Sequence, residues 1–550
     1  MHPAVSFLPL PDKDVALPTP LLDQTRRGLL AALLSTFAAP VVGIASAQTQ
    51  KPAAAADPFD YEDVVARARK MAEGDYIPQH VVDLPEIEQL DFDRWRKIQF
   101  RNETDPLKDP TGRYKLQVFH LGHLFKKEVK INLVRDGREF PFDYSANSFD
   151  YGSVGFSKPL PANLGYAGFR LHYPLNSVRQ FDELISFVGA SYFRFLGRDQ
   201  KYGLSARGLA IGTGNLDNNE EFPFFKEFWI ERPIDNSDKV TIYALMDSLS
   251  LAGAYRFDVY PQDKTAVIVT ASLFPRRTVH RLGMAPLTSM YMIGENDRHM
   301  NDRNKYDEFR TELHDSDGLL IQTADDLWMW RPLKNPQIQE VQRFHVSRLK
   351  GFGLMQRDRQ FSHYSDIELN YEERPSYWIE PAHDWGSGQV ELVELATKDE
   401  TADNIVCAFV PDGALEPGKR FTFTYKIRSM NAGVSLHDLG YVRDTYSAPP
   451  VALGSTENAL PDSRRYLIDF TGGNLAYLLR NPDAVRVVAS AQKAQLLRSF
   501  LIPNPKIGGF RVMIDVRFEP DTVGTMQVFL EAAGKAVTES WHYAWRIYNL

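Results

Sequence analysis

Apolar and polar residues alternate with a period of two along much of the chain, beginning near Tyr114. Tyr114-Lys115-Leu116-Gln117-Val118 alternates, as does Val129-Lys130-Ile131-Asn132-Leu133, with Asp136-Gly137 supplying the next turn. This period places one face of a strand on a core and the other toward solvent. The same pattern returns at 240–245, at 255–260 and, after the turn Pro261-Gln262-Asp263-Lys264, at 266–271. Short strands punctuated by Gly, Pro, Asn and Asp predict a large antiparallel sandwich over 57–411 and argue against βαβ units. Pro411-Asp412-Gly413 to Pro417-Gly418 marks a linker at 412–417, after which alternation restarts at 420–427 and recurs at 466–470, 485–489, 510–518 and 526–530. That many short strands over 418–550 is the size of an immunoglobulin-like sandwich. The fold class expected is therefore all-β, with two sandwiches and no internal repeat. The clearest helix is expected after a small-residue linker at 48–56, with Asp57 as N-cap, Pro58 at its first position, Phe59, Val64, Val65, Ala68 and Met71 near helical spacing along it, and Gly74 at its end.

The first 47 residues change the picture of location. Arg26-Arg27 precede an apolar, small-residue stretch that closes at Ala45-Ser46-Ala47, the small-x-small pattern cut by a signal peptidase. Paired arginines in that place are read by the twin-arginine route, which carries folded proteins; the alternative is an ordinary secretory signal. The stretch is too weakly apolar for a stop-transfer helix, which needs about 20 apolar residues. The periplasm is the expected compartment.

Composition adds little beyond exclusions. A formal net charge of −8 argues against nucleic acid as a partner. A single cysteine, Cys407, excludes an internal disulfide and lies in an apolar run that reads as a buried strand. No metal or nucleotide motif is present, so no metal and no cofactor is expected; His314-Asp315-Ser316-Asp317-Gly318 lacks the later acidic ligands of a calcium loop.

Two clusters mix carboxylates with rings. One is Tyr291 with Gly294-Glu295-Asn296-Asp297-Arg298; the other is Tyr377-Trp378-Ile379-Glu380-Pro381-Ala382-His383-Asp384-Trp385-Gly386. Breaking a glycosidic bond needs one protonated carboxyl and one ionised carboxyl, and ring faces hold sugars. The plainer account of the same residues is turn aspartates and core tryptophans.

With Phe59-Asp60-Tyr61, Trp95 to Phe100 and His314 to Leu319, these clusters resemble the periplasmic glucan biosynthesis proteins G and D over nearly all of the chain beyond Phe59. The twin-arginine signal is more similar to the D member. The resemblance implies a mutarotase-like N-terminal supersandwich joined to the immunoglobulin-like domain. It implies a role in making osmoregulated periplasmic glucans, by anomer-inverting hydrolysis or transglycosylation of β-1,2-glucan. It puts the general acid on Asp384 and the general base on Asp297, with Glu295 as the alternative base, both lining one cleft. Sugar contacts are expected from Trp378, Trp385, Tyr291 and Tyr377, and more weakly from Arg298 and His383, with segments 302–310 and 356–364 shaping the cleft. β-1,2-Glucan is the expected partner, with a membrane-embedded glucan synthase and a homodimer left open. A glucan-binding module that performs no chemistry is the competing reading.

Overall fold

The computed structural model describes residues 58–107, 109, 112–215, 220–234, 239–297, 308–451 and 460–547. The expected signal and linker, Asp57, Arg298 and segment 302–307 lie outside these residues. The first helix, α1 (Tyr61–Ala72), is capped by Asp60 and not by Asp57. The Asp60 carboxylate accepts from the Glu62 N–H at 2.7 Å, and Asp63 accepts from the Asp60 N–H at 2.9 Å. An acidic residue three positions after the cap closes this reciprocal box, which outweighs Pro58 as a start signal. The buried face of α1, Val64, Val65 and Ala68, rests on Trp229 and Tyr243.

Two large sheets form the main sandwich. The ten-stranded sheet contains, in chain order, β1 (Lys115–Phe119), β2 (Gly168–Ser177), β3 (Gln180–Val188), β4 (Tyr192–Phe195), β5 (Ser205–Arg207), β6 (Leu282–Ser289), β7 (Glu340–Val346), β8 (Gly388–Glu394) and β9 (Ile405–Pro411). Their order across the sheet is β1-β2-β3-β4-β5-β6-β9-β8-β7, with Leu209–Ile211 also paired to β6. Every one of these pairings is antiparallel. The fifteen-stranded sheet covers it, and the core between them is ring-rich: Phe187 lies 5.0 Å from Phe257 and 5.3 Å from Phe228, centroid to centroid. Removing each such side chain from water contributes about 1.5–3 kcal/mol, so the alternating positions decide which face turns inward. Cys407 is fully buried in this core, and burial pushes its thiol far above the ordinary range.

The second sandwich is built on the same large sheet. Val485–Gln492, Val523–Ala532 and Ser540–Arg546 extend the fifteen-stranded sheet, with Met329 and Trp330 paired in parallel to Ser540 and Trp541. A four-stranded sheet, Tyr441–Ala448, Ser463–Thr471, Gly509–Phe518 and Ala494–Asn504 in spatial order, packs over that extension. The strand Phe421–Met430, which follows the expected linker, lies in the main sandwich. It is hydrogen-bonded between Ala266–Pro275 and Ser376–Pro381.

Candidate active site

The core residues of the ten-stranded sheet determine what its other face carries. Phe169, Leu171, Ile185, Phe187, Phe193, Ala206, Leu287 and Cys407 all point into the core. Strand alternation then sends their neighbours outward. Arg170 pairs with Ser186, Ser186 with Arg194, Ser205 with Thr288, and Thr288 with Val406, so one rung of mostly polar side chains crosses six strands. Arg207 leaves the same face one rung away. Its Nε donates to the Thr288 hydroxyl at 2.9 Å, its guanidinium meets Glu220 at 3.0 Å, and it stands 4.8 Å over the Tyr192 ring. Further along, Ala210, Gly283 and Ala408 floor a shallow depression beside the Arg281–Glu391 ion pair of 2.5 Å.

Asp403 enters this face just ahead of β9. Its neighbour Asn404 fixes the approach: the amide donates to the carbonyls of Tyr291 and Leu395 at 2.9 Å and accepts from the Tyr291 N–H at 2.8 Å. The Asp403 side chain is only 3% exposed, with Arg194 at 4.0 Å from Oδ2. That oxygen has no hydrogen-bond partner. Burial pushes the carboxyl up to about 6, with the charge of Asp315 adding to it and Arg194, Arg207 and Arg374 opposing. Asp315, itself 2% exposed, is the second carboxylate of the group and is clamped by the Arg374 guanidinium. Arg374 in turn lies 3.7 Å over the Tyr371 ring. Two carboxyls held differently, one desolvated and one locked to an arginine, are what acid–base work on a sugar linkage requires. The Ser205 hydroxyl, fully buried beside them, also lacks a partner, as does the Arg374 Nε. Buried polar atoms left open in one place mark where a polar ligand or ordered water binds.

A second acidic group lies where the two sandwiches meet. Burial, then Glu312, Asp444 and Asp317, raises Glu295 well above the ordinary carboxylate range, while the Thr445 N–H at 3.0 Å opposes this. Asp317 and Asp444 are each pushed up to about 6, chiefly by burial. Burial alone would depress His314, but the hydrogen bond and charge of Glu312, at 3.1 Å, lift it above its usual value. Among the described residues, Glu312, Asp358 and His363 bring potential metal-ligand atoms within 4.8 Å of one another. Asp358 and His363 already spend those atoms on a mutual hydrogen bond.

The residues singled out in the sequence fall in several places. Asp384 and His383 are exposed in the turn after Ser376–Pro381. Asp384 accepts from the Gly386 N–H at 2.9 Å, a turn that Gly386 completes at a φ of +79°. Trp385 is half-buried and seals one end of the main core against Phe409 at 5.5 Å. Tyr377 and Trp378 are each 1% exposed. Tyr377 stacks on Phe195 at 4.4 Å, accepts from the Phe195 N–H and donates to its carbonyl. Trp378 stacks on Trp328 at 5.7 Å in the second core. Tyr291 is also buried, stacked on His314 at 5.2 Å with its hydroxyl donating to Asn296.

Asp297 is 1% exposed and accepts from the N–H groups of Gly294 and Asn335 at 3.2 and 3.0 Å, binding a turn together. Glu295 is half-buried in the second acidic group. Asp384 and Asp297 are not brought together. Asp384 lies beyond the Gly388 end of β8, whereas Asn404 and Tyr291 mark the opposite end, roughly 20 Å away at about 3.3 Å per residue.

Residues 59–545 match the family described as "Periplasmic glucan biosynthesis protein, MdoG". A "Probable glucans biosynthesis protein D" from Shewanella oneidensis is 38% identical, covering 94% of this chain and 93% of its own. A "Glucans biosynthesis protein G" from Ralstonia nicotianae is 40% identical over 92% of this chain and 98% of its own. A "Glucans biosynthesis protein D" from Xanthomonas campestris pv. campestris is 38% identical over 89% and 90%.

Proposed function

The chain belongs to the periplasmic glucan biosynthesis protein family, and from that premise we propose that it cleaves or transfers β-1,2-glucan with inversion at the anomeric carbon. The observation that carries the reading is Asp403, a carboxyl held near 6 by burial on a polar sheet face, with an unpartnered oxygen. Its proton passes to the glycosidic oxygen as the bond to the anomeric carbon breaks. Asp315, oriented by Arg374, takes the proton of the incoming hydroxyl, which adds to that carbon from the opposite side. If the hydroxyl is water the glucan is shortened; if it belongs to a sugar, the chain is transferred. Arg194 and Arg207 balance the charge of the pair and offer donors to sugar hydroxyls. Twin-arginine export, cleavage near Ala47, contact with a membrane-embedded synthase and homodimer formation complete the proposal.

The near-complete burial of both carboxyls favours one other reading, a glucan-binding module whose face opens for a chain but performs no chemistry. Incubation of the chain from Gln48 onward with linear β-1,2-glucan separates the two, with products followed by mass and by anomeric configuration. Shorter chains or rings bearing inverted configuration are expected, and Asp403→Asn abolishes them. Binding without product, or full activity in Asp403→Asn, refutes the catalytic assignment.

A further inference from the structure

The outer face of the ten-stranded sheet carries a second polar constellation, two strands beyond Arg194, which borders the group around Asp403. On β2, Arg170 and His172 point outward, and on β3 so does Glu183, which pairs with His172 across the strands. A register shift between Leu171 and His172 sets that pairing, leaving Leu184 as the extra residue that stays in the core. Arg170 is fully directed: its Nη1 meets Glu183 at 3.0 Å and its Nε donates to Gln117 at 2.9 Å. Tyr202 comes down over the same spot, where the charges of Glu183, Arg170 and Arg194 all act on its hydroxyl.

His172 is the open position. Its Nδ1 faces the Phe181 carbonyl at 3.4 Å, and since a carbonyl only accepts, Nδ1 carries the proton. Nε2 is then a bare acceptor, buried and without a partner. Burial, reinforced by Arg170, holds the imidazole down at about 4, so it stays neutral through the physiological range. A buried acceptor with no donor is costly unless something polar arrives from outside. From Arg170, beside His172, the rung passes Arg194 and the unpartnered Ser205 hydroxyl, so polar atoms continue from this constellation toward Asp403. Two strand spacings, about 10 Å, separate β2 from β4, which carries Arg194, and β9, which Asp403 precedes, is three strands further on, so the distance to Asp403 spans several sugar rings.

We infer that His172, with Arg170, Glu183 and Tyr202, forms a remote sugar subsite that grips a glucan chain several residues from the bond attacked, His172 Nε2 accepting from a sugar hydroxyl. This rests on the proposed action of the face around Asp403 on glucan. His172 and Tyr202 are substrate-holding residues that set the length of chain the site prefers.

The test is calorimetric binding of linear β-1,2-gluco-oligosaccharides of increasing length to the chain from Gln48 onward carrying Asp403→Asn, so that turnover does not intervene. Affinity rises with length until the chain reaches His172. In the added His172→Leu variant that last rise, about three- to tenfold for one neutral hydrogen bond, disappears and the plateau comes at a shorter chain. His172→Gln, whose amide oxygen accepts in its place, restores it. An unchanged length profile in His172→Leu overturns the inference and leaves water on Nε2. Uniform weakening at every length also overturns it, as a structural effect. Should His172→Leu unfold, Tyr202→Phe reads the same profile. No binding at any length, even without the His172 change, refutes the proposed function itself along with the subsite.

Discussion

If Asp403 is kept partly protonated by burial, its ionised form weakens the fold, and removing the charge should stabilise the protein while destroying its activity. The folded carboxyl lies at about 6 against an ordinary 3.8, a rise that corresponds to about 3 kcal/mol. A carboxyl raised in the folded state costs nothing below its unfolded value. The cost grows as pH climbs from 3.8 to 6 and is constant above. Asp403→Asn should therefore gain about 3 kcal/mol over wild type at pH 8 and well under about 1 kcal/mol at pH 4. The side chain is 3% exposed, so solvent screening takes little from this figure. Thermal unfolding of both proteins at the two pH values measures it, as a gap in melting temperature that opens toward alkaline pH. An equal gap at pH 4 and pH 8, or a variant less stable at pH 8, would show that burial does not hold this carboxyl up.

Two other outcomes follow from side-chain surroundings. Arg357 donates to both oxygens of fully buried Glu539, which His437 also approaches at 3.1 Å, and Glu539 is brought down to about 2 against the opposing effect of burial. Arg357→Met should lower stability by about 3–5 kcal/mol, because a buried carboxylate loses its charged partner. Wild type should shed the contribution of this pair as pH falls from about 4.5 toward 2; a variant as stable as wild type at neutral pH contradicts this. Asp384→Asn, in an exposed turn that an amide oxygen can still close, should leave activity within about twofold and change stability by no more than about 0.5 kcal/mol. A loss of several orders of magnitude in rate would move the general acid back to that turn.

The strand period, the two sandwiches and the core position of Cys407 were all legible, because alternation depends only on neighbours along the chain. Sheet membership was not. Phe421–Met430 alternates like the first strand of a new domain, yet its partners lie some 150 and 50 residues earlier in the chain. The rings of Tyr377 and Trp378 read as a sugar platform beside Glu380. Their strand is central in a sheet with core packed on both faces, which makes both rings structural. Asp315 lies within His314-Asp315-Ser316-Asp317-Gly318, whose local pattern reads only as a calcium loop that lacks its later ligands. Asp403 carried no signal, since it is one acidic residue ahead of an apolar run. What distinguishes it is depth under Arg194 and Arg374, which comes from segments far apart in the chain. The outward row Arg170, Ser186, Arg194 and Arg207 was visible only as the polar half of an alternation, and registers across four strands are needed to see it as one surface.

The parallel pairing of Met329 and Trp330 with Ser540 and Trp541 means that the two sandwiches share hydrogen bonds as well as a contact. A module joined by a linker can be cut away, duplicated or exchanged between proteins, and each piece can fold as soon as it is made. Here a strand of the first sandwich waits for a neighbour synthesised some 200 residues later, so the sheet is completed only when nearly the whole chain is present. Pulling on the second sandwich would unzip the main sheet from that seam before it unravelled either core, and truncation ahead of Ser540 would expose a sticky strand edge.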